Sequence, residues 1–397
     1  MKSLFNNYKS LSICMLGFFF LAASTSFAQH ETGEHHHDAD HSVGHGHAHG
    51  HDDEPFNAGN MIIEHIADAH DIHLFGDVSI PLPVILKSEK GMHFFMSSAF
   101  HHGHDVVANN GAHFVMHHGK IVETDEHGTL HFEFEGRQHK ARYIDTSGVP
   151  AKAALLNTLP LDFSITKSVF GLLFVLFLMV IIFRTAASGY KKRPGQAPSG
   201  LSNAIEPLVM FVRDEIAIPS IGEKHAHRFM PFLLTVFFFI WICNLMGLIP
   251  FIGGFNITGT IGVTLVLAFF VFIVTNFSGN KHYWGHLLWP PGVPFPIKLI
   301  LVPIEVIGIV LKPIVLMVRL TANITAGHII ILAFVSLIFI FGQGGEAMGT
   351  GIGVGVGATL FMVFMFFIEL LVAFLQAFVF TLLAALYFGD ATQEAHH

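Results

Sequence analysis

Arg319 lies in the segment LMVRLTANITAGHII (316–330), inside an apolar run from about Leu299 to Phe341. A guanidinium cannot shed its proton, so at bilayer depth it needs an anionic partner or water. On a helix advancing about 100° per residue, Glu305, Lys312, Arg319 and Asn323 fall within roughly 40° of one another and form one polar stripe. Thr325 and His328 point elsewhere and give the same helix a second, smaller polar face. In the last apolar segment Glu369 and Gln376 share a helix face with Ala373, Phe380 and Tyr387.

Polar side chains at such depth line a watery path or meet a partner group. A blander role is open to several of them. Glu305 and Lys312 can snorkel to a membrane surface, and Asn323 and Gln376 can hydrogen-bond between helices. Arg319 has no such escape. Glu369 is a candidate counter-ion within the chain, but a carboxylate locked onto Arg319 would carry no protons. His328 and Glu369 read better as groups that take up and release a proton.

The elements that hold these residues follow from composition. Of 397 residues, 52% are hydrophobic and 13% charged, with 42 Phe, which describes a membrane protein. Five apolar segments are expected at about 167–184, 229–250, 260–277, 299–341 and 351–388. The connection 184–228 holds seven Lys and Arg residues, the connection 278–298 holds Lys281 and Lys298, and the other two hold none. By the positive-inside rule the basic connections are cytoplasmic, which puts the C-terminus in the cytoplasm and the first third of the chain outside. A continuous helix over 299–341 would extend about 65 Å, twice the hydrocarbon thickness, so it must tilt strongly or break, with Pro303 and Pro313 as bending points.

Ahead of the helices lie three further regions. Residues 1–28 have the basic start, short apolar core and small residues of a secretory leader rather than a first span. The tract 29–54 holds nine of the 29 histidines and lacks core-forming residues, so it reads as disordered, able to hold a metal loosely but more simply a solvated tract. Residues 55–150 read as a small β-rich extramembrane domain. Within it MIIEHIADAHDIHLF (61–75) has helical spacing, while Leu130, Phe132 and Phe134 share one strand face. His101, His102 and His104 are a second candidate metal cluster, with exposed loop histidines the simpler account. In the cytoplasmic connection, NAIEPLVMFVRDEIAIPSIG has the spacing of a surface helix with Glu206, Arg213, Asp214 and Glu215 on its solvated face. Two cysteines, Cys14 and Cys243, exclude a disulfide framework. The fold class expected is a mainly α membrane protein with five membrane segments, the last two long and tilted, plus the small β-rich N-terminal domain; the channel domain spans 160–390.

RLTANITAGH, preceded by PIEVIGIVLKP, together with NLMGLIPF, AIEPLVMFVRDEIA and FLQAFVFTLLAALYF, resembles subunit a of the F-type ATP synthase over about residues 160–390. The resemblance implies that Arg319 is the arginine facing the carboxylates of a rotating c-ring, with Asn323 and Gln376 at the family's amide positions. Many relatives have Glu where this chain has His328, and His where it has Glu369, so the pair is swapped rather than lost. An acidic residue frequent in the family is absent from GGFNIT (253–258). The resemblance further implies a non-catalytic, proton-translocating subunit of a bacterial inner membrane, with the c-ring, the b subunits of a peripheral stalk and the lipid bilayer as partners. It implies no cofactor, no bound metal and no nucleic acid. The competing reading is a secondary transition-metal transporter whose His-rich tract collects ions outside. A path for such ions wants several intramembrane ligands, and this chain offers His328 and Glu369 beside an unfavourable cation.

Overall fold

The computed structural model describes Gly59, Ile62 and residues 68–393, apart from 76–77, 118, 135, 145–148, 150–152, 193–195, 250–254 and 343–347. The leader and the His-rich tract expected over 1–54 lie outside the described residues.

Among the described residues, eleven short strands precede the first long helix. They are β1 (Asp71–Phe75), β2 (Val78–Pro81), β3 (Pro83–Ser88), β4 (Gly91–Met96), β5 (Val107–Asn109), β6 (Ala112–His117), β7 (Lys120–Thr124), β8 (Thr129–Phe134), β9 (Arg137–Arg142), β10 (Ala154–Leu155) and β11 (Leu161–Asp162). They pair antiparallel as β1-β2, β11-β3-β4, β5-β6-β7 and β10-β8-β9. The β5-β6-β7 sheet is the middle layer. Phe114 and Val115 are adjacent on β6 and therefore point to opposite faces, yet both are fully buried. Phe114 joins Val84, Leu86, Phe100 and Ile121 in one core, and Val115 joins Val122, Leu130, Phe132 and Tyr143 in another.

The helical spacing read over 61–75 does not hold at its C-terminal end. Residues 71–75 form β1, paired in a hairpin with Val78–Pro81 so that Ile72 faces Ile80. Ladder hydrogen bonds to an adjacent β-branched segment outweigh a weak helical periodicity. Most of 61–67 lies outside the described residues. Over 129–134 the expected alternation is present, with Leu130 and Phe132 buried. His101 stands in a 3₁₀ turn, Ser97–Gly103, and its exposed ring bonds Asp105 at 2.5 Å. No three metal-ligating side chains converge among the described residues.

Among the described residues, five helices are long and apolar enough to cross a membrane. They are α1 (Lys167–Lys192), α4 (Glu223–Leu248), α5 (Ile261–Ser278), α7 (Phe295–Gly342) and α8 (Met348–Thr392). Between α1 and α4 run α2 (Leu201–Phe211), a wider π-helical turn (Val212–Ala217) and α3 (Ile218–Ile221); α6 (Lys281–Leu288) links α5 to α7. Along α2 and the π turn Ile205, Val209, Val212 and Ile216 are buried against α1 and α4, whereas Asp214 and Glu215 are exposed, as a surface helix requires.

α4 is the centre of the helical body, with 78% of its most apolar stretch buried; α7 and α8 bury only 17% of theirs. α7 is unbroken over 48 residues, about 72 Å, with Pro303 and Pro313 inside it, so it resolves the length conflict without interruption. α8 runs 45 residues beside it. The two form a long antiparallel pair that packs on α4 and α5 along one side and leaves a broad apolar side uncovered.

Candidate functional site

α7 and α8 set the geometry of the polar groups. A Cβ placed on Gly327 would overlap Oε1 of Glu369 and stand 2.5 Å from its Cδ, so the carboxyl lies directly against the α7 backbone. His328 is the next residue. Its Nε2 lies over Gly247 of α4, 3.4 Å from where a Cβ would stand. Two glycines thus give room for the imidazole and the carboxyl to sit between helices. The register continues toward the ends: Lys312 Nζ lies 4.9 Å from the centre of the Tyr387 ring and 3.8 Å from Asp390 Oδ2. An antiparallel pair in this register places Gln376, seven residues after Glu369, level with Leu320, seven before Gly327.

Gln376 is therefore at the height of Arg319, and both Glu369 and Gln376 are at least nine-tenths buried. Arg319 is half-buried, and its Nη2 is enclosed without a hydrogen-bond partner. Among the described residues no carboxylate comes within ion-pair distance of it. Asn323, one turn on, is exposed on the uncovered side, with Val315, Val318, Ala322 and Ala326 around it.

The expected stripe of Glu305, Lys312, Arg319 and Asn323 is thus divided in use. Lys312 turns to Asp390 and Tyr387 at the end of α8. Glu305 is half-buried and stands two turns before Lys312. Arg319 and Asn323 remain together one turn apart, while the Glu369 carboxyl packs on Gly327 and the His328 ring turns to Gly247 of α4.

Several polar groups escaped the sequence reading. Asn244 of α4 donates from Nδ2 to the Ala373 carbonyl at 3.2 Å, and its Oδ1 accepts from the Thr258 hydroxyl at 2.7 Å. Thr264 of α5 and Thr321 of α7 share a hydroxyl hydrogen bond of 2.7 Å. Asn256 has a buried Oδ1 without a protein partner. These residues line the α4–α5 side of α7, and the only advance signal was a few amides and hydroxyls amid apolar runs. Lys167, at the start of α1, is near enough for its charge to act on His328, and Asp68 and Asp71 act on Lys167 in turn.

The sequence pattern of the ATP synthase A chain family matches residues 170–389, and that of a domain of unknown function, DUF8433, matches residues 61–146. ATP synthase subunit a 2 of Chlorobaculum tepidum is 43% identical over 240 residues, 59% of this chain and 65% of that protein. ATP synthase subunit a of Pelodictyon phaeoclathratiforme is 38% identical over 289 residues, 71% of this chain and 76% of the relative. ATP synthase subunit a 2 of Chlorobium luteolum is 42% identical over 260 residues, 61% and 72% of the two chains. More than half of the chain fits one pattern, and the fit contains Arg319, His328, Glu369 and Gln376: the chain belongs to the ATP synthase A chain family of multi-pass membrane proteins.

Proposed function

We propose that this chain is the stator proton-channel subunit of a rotary F-type ATP synthase, non-catalytic by itself. One observation carries the reading. Arg319 holds a permanent charge between long helices, its own described residues offer it no carboxylate, and the adjoining sides of α7 and α8 are apolar and uncovered. A c-ring, whose subunits each present a carboxylate at mid-membrane, fits that side and that charge. The b subunits of a peripheral stalk would hold the chain still against the turning ring.

In this mechanism protons enter from the side of the β-rich domain, which is periplasmic if the basic connections are cytoplasmic. They pass the amides and hydroxyls of Asn256, Thr258, Asn244 and Thr264 to His328 and Glu369. From there a proton reaches a ring carboxylate that has just left Arg319. The neutral acid then travels round through lipid. On the far side an arriving acid meets Arg319, whose positive charge favours the anion, and releases its proton toward Tyr387, Lys312 and Asp390 at the cytoplasmic end. Arg319 also blocks direct proton passage between the two halves. A membrane potential supplies about 2.3 kcal/mol per charge per 100 mV, so several protons per turn suffice for ATP formation elsewhere in the complex.

Cysteine cross-linking tests the contact. With Asn323→Cys in this chain and a cysteine one turn from the ring carboxylate, oxidation of membranes holding the assembled complex should yield a disulfide-linked pair and stop ATP-driven pumping, both reversed by reductant. Failure at Asn323 and Val318 alike, in complexes that still pump, would remove the proposed docking side.

A further inference from the structure

The outer face of the β11-β3-β4 sheet is built for an apolar medium. Register places Leu161, Lys87 and Met92 in one row across it and Phe163, Ile85 and Phe94 in the next. Phe94 is 62% exposed, and Met92, Met96, Leu161 and Phe163 are 42 to 44% exposed. Of the positions alternating with them, Val84, Leu86 and Phe95 pack into the core, while several others turned inward are polar. Ser164 and Thr166 are buried and accept bonds from the amides of Ile85 and Val169, Asp162 bonds His70, and His93 of β4 is fully buried beside Ser88. A solvated antiparallel sheet carries polar residues on its outer face.

This face adjoins the membrane by covalent continuity. Phe163 stands four residues before Lys167, the first residue of α1, a distance of at most about 14 Å along the chain. Phe94 lies two strands further across, about 10 Å. α1 itself exposes Phe170, Phe174 and Phe177 along one side. The sheet cannot swing clear of the helices. The Lys167 amide donates to the Ala69 carbonyl, the Ser168 amide donates to Asp68 Oδ1, and Ile72 and Leu82 are buried in the same core as Leu172 of α1.

We propose that this face lies in the lipid leaflet that α1 enters, so that the β-rich domain is a monotopic membrane unit as well as a lead-in to the helices. Phe94, Met92, Met96, Leu161 and Phe163 sit at the boundary between headgroups and acyl chains. Lys87, the charged residue in these rows, reaches along its stem to lipid phosphates. The inference rests on α1 crossing the membrane and not on rotary function, so either can fail without the other.

The full chain, cysteine-free apart from a single labelled site, is placed in phospholipid nanodiscs. A polarity-sensitive fluorophore is attached at Phe94→Cys, at Leu161→Cys or, as the solvated reference, at Gln138→Cys on β9. Labels at 94 and 161 should lose fluorescence to lipids brominated near the carbonyl end of the acyl chain and resist aqueous iodide, with the reverse at 138. Iodide quenching at 94 and 161 without lipid quenching overturns the proposal. So does shielding from both, which would show the face covered by protein. A photoreactive phosphatidylcholine, used on the unsubstituted chain, checks the same point without labels. Adducts on the β4 strand support it, and adducts confined to α1 and the other helices overturn it.

Discussion

The carboxyl of Glu369 lies directly against the α-carbon of Gly327, in a space that a single methyl group would fill. The atoms displaced by such a methyl are the free end of a side chain, so the helices need not separate. The carboxyl must instead move away from its place against the α7 backbone. Gly327→Ala should therefore leave thermal stability in detergent nearly unchanged while slowing ATP-driven proton pumping roughly 10- to 100-fold, the usual cost of a misplacement near 1 Å. Glu369→Leu should slow proton uptake as well, and Glu369→Asp should restore part of it. Full pumping by Glu369→Leu would reduce the residue to packing.

Arg319 is the residue whose loss should be absolute. Arg319→Ala should abolish coupled ATP synthesis and admit passive proton leak through membranes carrying the complex, read as collapse of a pH gradient without nucleotide. Arg319→Lys should fail too, because an ammonium keeps the charge but lacks the planar fork and is more strongly hydrated. Ordinary ATP-driven pumping by Arg319→Ala would falsify the assigned role.

The charges were legible in the sequence because a polar residue in an apolar run stands out, and 3.6-residue periodicity places Arg319 and Asn323 on one face without any tertiary information. Their partners were not. Lys312 shares that face, yet it is drawn to Asp390 and Tyr387, some 75 residues later, by the register of α7 against α8. That register is fixed by close contacts such as Gly327 on Glu369, which depend on a missing side chain. The long helices followed from hydropathy alone, although prolines 303 and 313 suggested breaks that packing does not require. The strand at 71–75 was hidden because a five-residue segment has too few positions to distinguish one period from another.

Asn244 joins three elements through one amide. It donates to the Ala373 carbonyl on α8 and accepts from Thr258 after α4, and it is 97% buried, with a relative exposure of 3%. Asn244→Leu keeps the volume but leaves a carbonyl and a hydroxyl unsatisfied, a change of about 1 to 2 kcal/mol for buried neutral groups. A detergent melt should show a lowered midpoint, and Thr258→Val should add little on top of it, since both remove the same bond. Additive losses would show that the two residues act separately.

Asp162 of β11 and His70, next to Asp68 and Ala69 which hold the start of α1, tie the two ends of the β-rich domain together, and their link is sensitive to acid. His70 Nε2 donates to Asp162 Oδ2 at 2.9 Å, with side chains 1% and 10% exposed. Burial by itself would raise the Asp162 carboxyl, but the hydrogen bond and charge of His70 and the hydroxyl and amide of Ser164 outweigh it and hold it below its ordinary 3.8. A carboxylate depressed in the folded state contributes stability that is complete above the unfolded value and is lost as pH falls through the folded one. Protection of the Lys167 and Ser168 amides from hydrogen exchange, corrected for the intrinsic rate, should thus hold at neutral pH and decline once pH drops below about 3.8. Asp162→Asn should weaken that protection already at neutral pH, by roughly 3 kcal/mol for one member of a buried pair, and should flatten the acid transition. An acid transition of unchanged depth in Asp162→Asn would assign the latch to another group, with Asp68, which holds the Ser168 amide, the next to test.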